Sequence, residues 1–204
     1  MGAGRWHRAR DRRGARPRAG SPALTADGRR RKGEQRRRLL LDATMRVIER
    51  AGVAAVSQRV VAQEAGVPPS AVTYYFPAVD DLLVAALAAC NDDYVRQLET
   101  CTREPDPLAA LARVIADSTD VRRAYVAAEY ELYLIAARRP ALQPEVERWN
   151  VALDAFLAPH VADPVTRAGA TAAVDGLFMR CFSRPDPPSA TEVREILERL
   201  VRPR

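Results

Sequence analysis

An all-α protein is the fold class this sequence predicts, and three observations carry the prediction. Apolar residues recur at i, i+3, i+4 and i+7 from about residue 40 to the C-terminus. No stretch of useful length alternates apolar and polar residues as a half-buried strand would. Gly and Pro fall between the periodic segments, where they end one helix or open the next. The periodic segments number about nine, without internal repeat, and 204 residues can bury a core without covalent staples.

The N-terminal end is different in kind. Residues 1–38 hold fourteen basic and three acidic side chains, a net of +11, so the whole-chain value of +6 leaves −5 for residues 39–204. Residues 1–31, rich in Arg, Gly, Pro and Ala, lack periodicity and read as a disordered basic arm. Such an arm is either a solvated tail, even a misplaced start, or a source of sequence-independent phosphate attraction. Nearly all the basic residues of the chain are Arg, with Lys32 the only Lys.

Helical periodicity begins near Gly33, with Leu40, Leu41, Thr44, Val47, Ile48 and Ala51 on one stripe and Arg36, Arg37 and Arg38 in the first turns. Gly52 ends this helix. Ser57 is a natural N-cap, its oxygen able to accept a free amide hydrogen of the first turn. Val61, Ala62 and Ala65 then face inward while Gln58, Arg59 and Gln63 point away. Gly66 suits a left-handed helix end, Pro69 suits a first helical turn, and Val72 and Phe76 share one face. Two short helices around a Gly-containing turn make a helix-turn-helix, whose second helix can enter a major groove.

After Pro77 comes the strongest amphipathic pattern, in which Leu82, Leu83, Ala86, Leu87, Cys90, Tyr94 and Leu98 follow the helical spacing. Asp80 and Asp81 occupy its first turn, next to the positive end of the helix dipole. The segment Arg103 to Pro107 ends it. Further helices follow over about 108–115, 121–136, 142–157, 164–179 and 193–201, separated by Pro-containing breaks. The expected division is a basic arm over 1–31, a DNA-binding unit over 32–78 and a second helical domain over 79–204.

Several classes are disfavoured. Cys90, Cys101 and Cys181 show neither pairing nor metal spacing, and the two histidines, His7 and His160, are far apart. No metal, no cofactor and no catalytic residue is expected, and an enzyme is the least favoured reading. No apolar run reaches the eighteen or so residues of a membrane span, and no hydrophobic leader core is present. Reduced cysteines fit a cytoplasmic protein.

Residues 33–90 resemble the TetR/AcrR family of bacterial one-component transcriptional regulators. The resemblance rests on an amphipathic first helix, SQRVVAQEAGV, PPSAVTYYF, and a long helix opening with DDLL. AEYELYLIAARRP and VDGLFMRCF look like the ligand-binding domains of actinobacterial members, so about 170 residues are covered in all. The resemblance implies a homodimer on a palindromic double-stranded DNA operator, released by a small-molecule effector. Activation in place of repression stays open, as does a sequence-indifferent architectural DNA binder.

Carried to this chain, the family's DNA-contacting positions are Ser57, Gln58, Arg59, Pro69, Ser70, Ala71, Thr73, Tyr74 and Tyr75. Arg36 and Arg37 join them at the first helix. Arg59 is the candidate for reading guanine. Departures stand at Thr73, where the family commonly has an aromatic, at Tyr75 for His, and at Val79 for a Lys. The missing Lys removes a phosphate anchor, Asp80 and Asp81 would repel the backbone, and the basic arm is the expected compensation. The family's cavity falls among the later helices, giving Tyr125, Glu129, Tyr133, Trp149, Phe156 and Phe178 as pocket candidates. Glu129, a carboxylate on a buried face, needs a partner. The last two helices, with Gly176, Val193, Ile196, Leu197 and Leu200, either form the dimer interface, as the family implies, or cap the monomer core.

Overall fold

The computed structural model describes residues 22–119 and 122–201. Among them are nine α-helices: α1 (Pro22–Ala51), α2 (Gln58–Ala65), α3 (Pro69–Tyr75), α4 (Val79–Arg103), α5 (Pro107–Ala116), α6 (Arg123–Ile135), α7 (Gln143–Leu157), α8 (Pro164–Ser183) and α9 (Ala190–Val201). Short 3-10 turns occupy Val53–Ala55 and Pro140–Leu142. No strand occurs among the described residues. The described residues fall into two compact units, divided between Gln35 and Arg36.

In the first unit the described residues are the N-terminal part of α1, and they correct an expectation. Residues 22–31, read as part of an unstructured arm, are helical. Ala, Leu and Arg are good helix formers, and Arg30 pairs with Glu34 one turn on at 3.1 Å. The rest of the expected arm, residues 1–21, lies outside the described residues.

In the second unit the helix ends follow from local chemistry. Ser57 is extended (φ −144°) and its Oγ accepts from Val60 N. Gly66, at φ 64°, ends α2 in the left-handed region, and Val67 N donates back to Ala62 O at 3.0 Å. Asp106 and Asp163 cap α5 and α8 by accepting from Ala109 N and Thr166 N. Ser189 and Glu192 cap α9 reciprocally, Glu192 Oε2 accepting from Ser189 N and Ser189 Oγ from Glu192 N.

Two buried clusters organise this unit. The first joins Leu40, Val47 and Ile48 of α1 to Val61, Val72, Phe76, Leu82 and Leu83, and extends to Ala128, Leu132 and Leu142. The second joins Leu98, Leu111, Ile115, Leu153, Val174, Phe178, Val193 and Leu197. α4 feeds both, so the expected division at Val79 marks the start of a helix and not a break in packing. α6 lies on the first core with Ala128 and Leu132, and its Glu131 Oε1 accepts from Val53 N at 2.7 Å. Gly52 allows that approach, because at φ 78° its hydrogen faces the Glu131 carboxylate where a Cβ would stand 3.2 Å away. No single helix among the described residues is long and apolar enough to cross a membrane.

Candidate DNA-binding face and effector pocket

α2 and α3 form the helix-turn-helix, with Val61, Ala62, Val72 and Phe76 inward. Their outer surface carries one exposed cation, Arg59, and several hydroxyls. Arg59 is exposed and makes no hydrogen bond or ion pair with the described residues. Tyr74 is 80% exposed, an unusual state for so large a ring, and meets the half-buried Tyr75 edge-on at 5.0 Å. Pro69, Ser70 and Thr73 are exposed and Ala71 is half-buried. Thr73 Oγ1 lies 3.2 Å from Pro69 O and donates to it. α3 carries no acid, and the one carboxylate of α2, Glu64, is held by Arg46 and Arg50 at 2.8 and 2.9 Å. Those guanidiniums keep Glu64 below the usual carboxylate range.

Not every residue expected on this face is available to it. Gln58 Nε2 donates to Phe76 O and Pro77 O at 2.7 and 2.8 Å, which ties the start of α2 to the end of α3. Its role here is to hold the two helices together. Ser57 spends its oxygen as the α2 cap but keeps a hydroxyl proton to donate. Arg36 is exposed and has no ion pair among the described residues, whereas Arg37 stacks over the Phe76 ring at 5.3 Å. Asp80 and Asp81 were expected to repel a DNA backbone, but both are engaged. Arg139 pairs with Asp80, and Asp81 Oδ2 accepts from Ala78 N at 2.8 Å.

A cavity of about 390 Å³, counted with its open mouth, lies among α4, α6, α7 and α8. α4 contributes Leu87, Cys90, Asn91 and Tyr94; α6 contributes Glu129, Tyr130 and Tyr133. Trp149 of α7 and Asp175 and Phe178 of α8 complete it. Tyr94 OH donates to Glu129 Oε2 at 2.9 Å, and Trp149 Nε1 donates to Asp175 Oδ1 at 3.0 Å. Tyr130 OH adds a longer donation to Asp175 at 3.3 Å. Burial pushes Glu129 up to about 7, against the Tyr94 and Cys90 hydrogen bonds and the Arg122 charge. Burial also raises Asp175, against the Trp149 and Tyr130 hydrogen bonds. The Tyr94 ring lies 5.5 Å from both Trp149 and Phe178, tilted to the first and edge-on to the second.

A helix-turn-helix with a free Arg and Tyr, joined through shared helices to an aromatic cavity, matches known proteins over most of the chain. The model for the C-terminal domain of tetracycline-repressor-like proteins matches residues 102–203, and that for bacterial regulatory proteins of the tetR family matches residues 40–86. This chain belongs to the TetR family. It is a ligand-responsive, DNA-binding transcriptional regulator of that family. The HTH-type transcriptional regulator BetI of Rhizobium meliloti is 31% identical over 160 residues, covering 71% of this chain and 77% of that one. The multidrug binding protein EbrR, solved with ethidium, is 38% identical, with a TM-score of 0.69 over 81% of this chain and 97% of that one. A TetR-family member from Streptomyces coelicolor A3 is also 38% identical, with a TM-score of 0.73 at the same coverages.

In this TetR-family regulator, four of the six pocket candidates, Glu129, Tyr133, Trp149 and Phe178, line the cavity. Tyr125 and Phe156 do not. Tyr125 packs against the first core with its hydroxyl 3.7 Å from Cys90 Sγ, and Phe156 is buried in the second, its ring 6.0 Å from His160. Tyr94 and Asp175 are missed by sequence reasoning. A carboxylate on the otherwise small and apolar stripe of α8 was the signal for Asp175. Of the expected interface residues, Val193 and Leu197 are fully buried within the chain, where α9 packs on α5 and α8. They have no surface left to offer. Ile196 and Leu200 are partly exposed, and Gly176 faces open space.

Proposed function

We propose that this regulator is a cytoplasmic homodimeric repressor that grips a palindromic operator through α2 and α3 and leaves it when a small molecule enters the α4–α8 cavity. One observation carries the reading: α6 serves both sites. Its Glu129, Tyr130 and Tyr133 line the cavity, while Glu131 holds Val53 N just ahead of α2. A ligand that prefers one placement of α6 therefore biases the placement of the helix-turn-helix. Operator affinity then falls by the ligand's difference in affinity between the two forms. EbrR has been solved with ethidium, proflavin and malachite green, and an aromatic small molecule is the corresponding effector here.

On the operator, Arg59 reads a base edge in the major groove, and Tyr74 places its hydroxyl on phosphate and its ring against sugar or a thymine methyl. The dimer forms through α8 and α9. α8 exposes Val165, Gly169, Ala172 and Met179 along one stripe with Gly176, where a partner helix can approach closely, and Ile196 and Leu200 of α9 flank it. Selection of bound fragments from a random DNA pool tests the operator. The expected product is a palindrome with half-sites about one helical turn apart. A pool without an enriched motif would leave only the architectural reading.

A further inference from the structure

We propose that the cavity takes an organic cation, held by the Glu129 and Asp175 carboxylates among the faces of Tyr94, Tyr130, Trp149 and Phe178. The proposal rests on the reading of this cavity as the effector site and specifies the chemistry of what enters it. Its basis is an imbalance of charge. Two carboxylates face one largely apolar cavity, Glu129 being only 5% exposed, and no lining residue is Lys, Arg or His. No ion pair among the described residues engages either acid. Arg122 acts on Glu129 only through space, opposed by Asp93.

The hydrogen bonds the acids do receive come from neutral donors. Tyr94 serves Glu129; Trp149 and Tyr130 serve Asp175. A carboxylate has about four acceptor sites, so each acid keeps unused capacity directed at positive charge. A cavity built for packing alone would be more stable with Gln, Asn or an aliphatic at both positions, because buried acids without counter-charge are costly. An anionic ligand would meet two like charges, and a neutral one would desolvate the acids further without neutralising them. A cation gains from both carboxylates and from the negative ring faces around them. The Tyr94 and Trp149 ring centroids are 5.5 Å apart, and Tyr94 OH donates to Glu129 while Trp149 Nε1 donates to Asp175, so both carboxylates stand on one aromatic cluster. Because burial holds Glu129 near neutrality's edge, at about 7, an entering cation displaces a proton from part of the population.

The test compares N-methylacridinium with neutral acridine, nearly equal in shape, by titration calorimetry of the full-length protein at pH 8. The cation should bind about tenfold more tightly or better, the scale of a desolvated cation–π and charge contact. Glu129→Gln and Asp175→Asn each keep an acceptor oxygen and should each shrink that preference while sparing acridine. Thermal unfolding checks both variants, and either one alone suffices if the other fails to fold. Equal affinities, no binding of the cation, or a preference unchanged by both substitutions overturns the proposal. The same ligands added to the protein bound to its selected operator separate the two readings. A cation that binds selectively but leaves the operator complex intact sinks the effector reading and keeps the cation site. Release by acridine with no preference for the cation keeps the effector reading and sinks this one.

Discussion

Glu129 is where burial, charge and function meet in one side chain. Its folded-state value is raised from 4.5 to about 7 by burial. Between those values the native protein holds a proton that the unfolded chain has released, so stability falls as pH rises from about 4.5 through about 7. The span of that loss is at most about 3 kcal/mol. Glu129→Gln should therefore gain over the parent as pH rises, which urea midpoints at pH 5 and pH 8 would register as a widening difference. A constant difference across that range would mean the carboxyl ionises freely. On the helix-turn-helix, Arg59 has no partner to lose among the described residues. Arg59→Ala should leave the unfolding midpoint unchanged within about 0.5 kcal/mol and cost about 1–3 kcal/mol of operator affinity with relaxed selectivity, measured by fluorescence anisotropy. Gln58→Ala should do the reverse, losing stability first, because its amide joins α2 to the end of α3.

At the scale of elements, the short helices depend on their ends. Ser57→Ala removes the α2 cap and should cost about 1 kcal/mol. The 3-10 turn ahead of it depends on α6. Gly52→Ala places a Cβ at φ 78°, 3.2 Å from Glu131 Oε1, and should cost roughly 1–2 kcal/mol for the left-handed backbone before the carboxylate moves. Beyond stability, that substitution should blunt the effect of effector on operator affinity, because it disturbs the contact between α6 and Val53. Thermal unfolding and operator titration with and without ligand measure the two effects separately. Unchanged release by ligand in a folded Gly52→Ala protein would remove the Glu131 contact from the coupling.

For the whole molecule, charge distribution and assembly are the deciding properties. Residues 1–38 carry a net +11 and the remainder −5, so the net positive charge of the chain lies in the N-terminal stretch. Deleting residues 1–31 should lower operator affinity and flatten its dependence on salt, since fewer counterions are released. Equal slopes over a salt series would assign the stretch no role in binding. Met179, 44% exposed on the small-residue stripe of α8, tests assembly. Met179→Glu should yield monomers by sedimentation at micromolar concentration and weaken operator binding with them. A parent protein that is itself monomeric there would exclude an α8–α9 dimer.

The sequence by itself determined the nine helices of the described residues and most of their ends, because apolar spacing, glycine at positions 52 and 66 and cap residues such as Ser57 act locally. It did not reveal the start of α1, where an Arg-rich segment of good helix formers leaves no apolar stripe to read. It placed Glu129, Tyr133, Trp149 and Phe178 near one another only through resemblance, since an aromatic that packs and one that lines a cavity have the same spacing. Tyr125 and Phe156 differ from them solely in which neighbour they meet. Tertiary structure alone decided that Gln58 bonds to Phe76 O and Pro77 O, that Asp80 is taken up by Arg139, and that Val193 and Leu197 are spent on α5. It also brought Asp175 of α8 to the cavity that Glu129 of α6 faces, 46 residues apart in the sequence. Periodicity records which face of a helix turns inward; the partner that face meets is set by the packing of all the helices together.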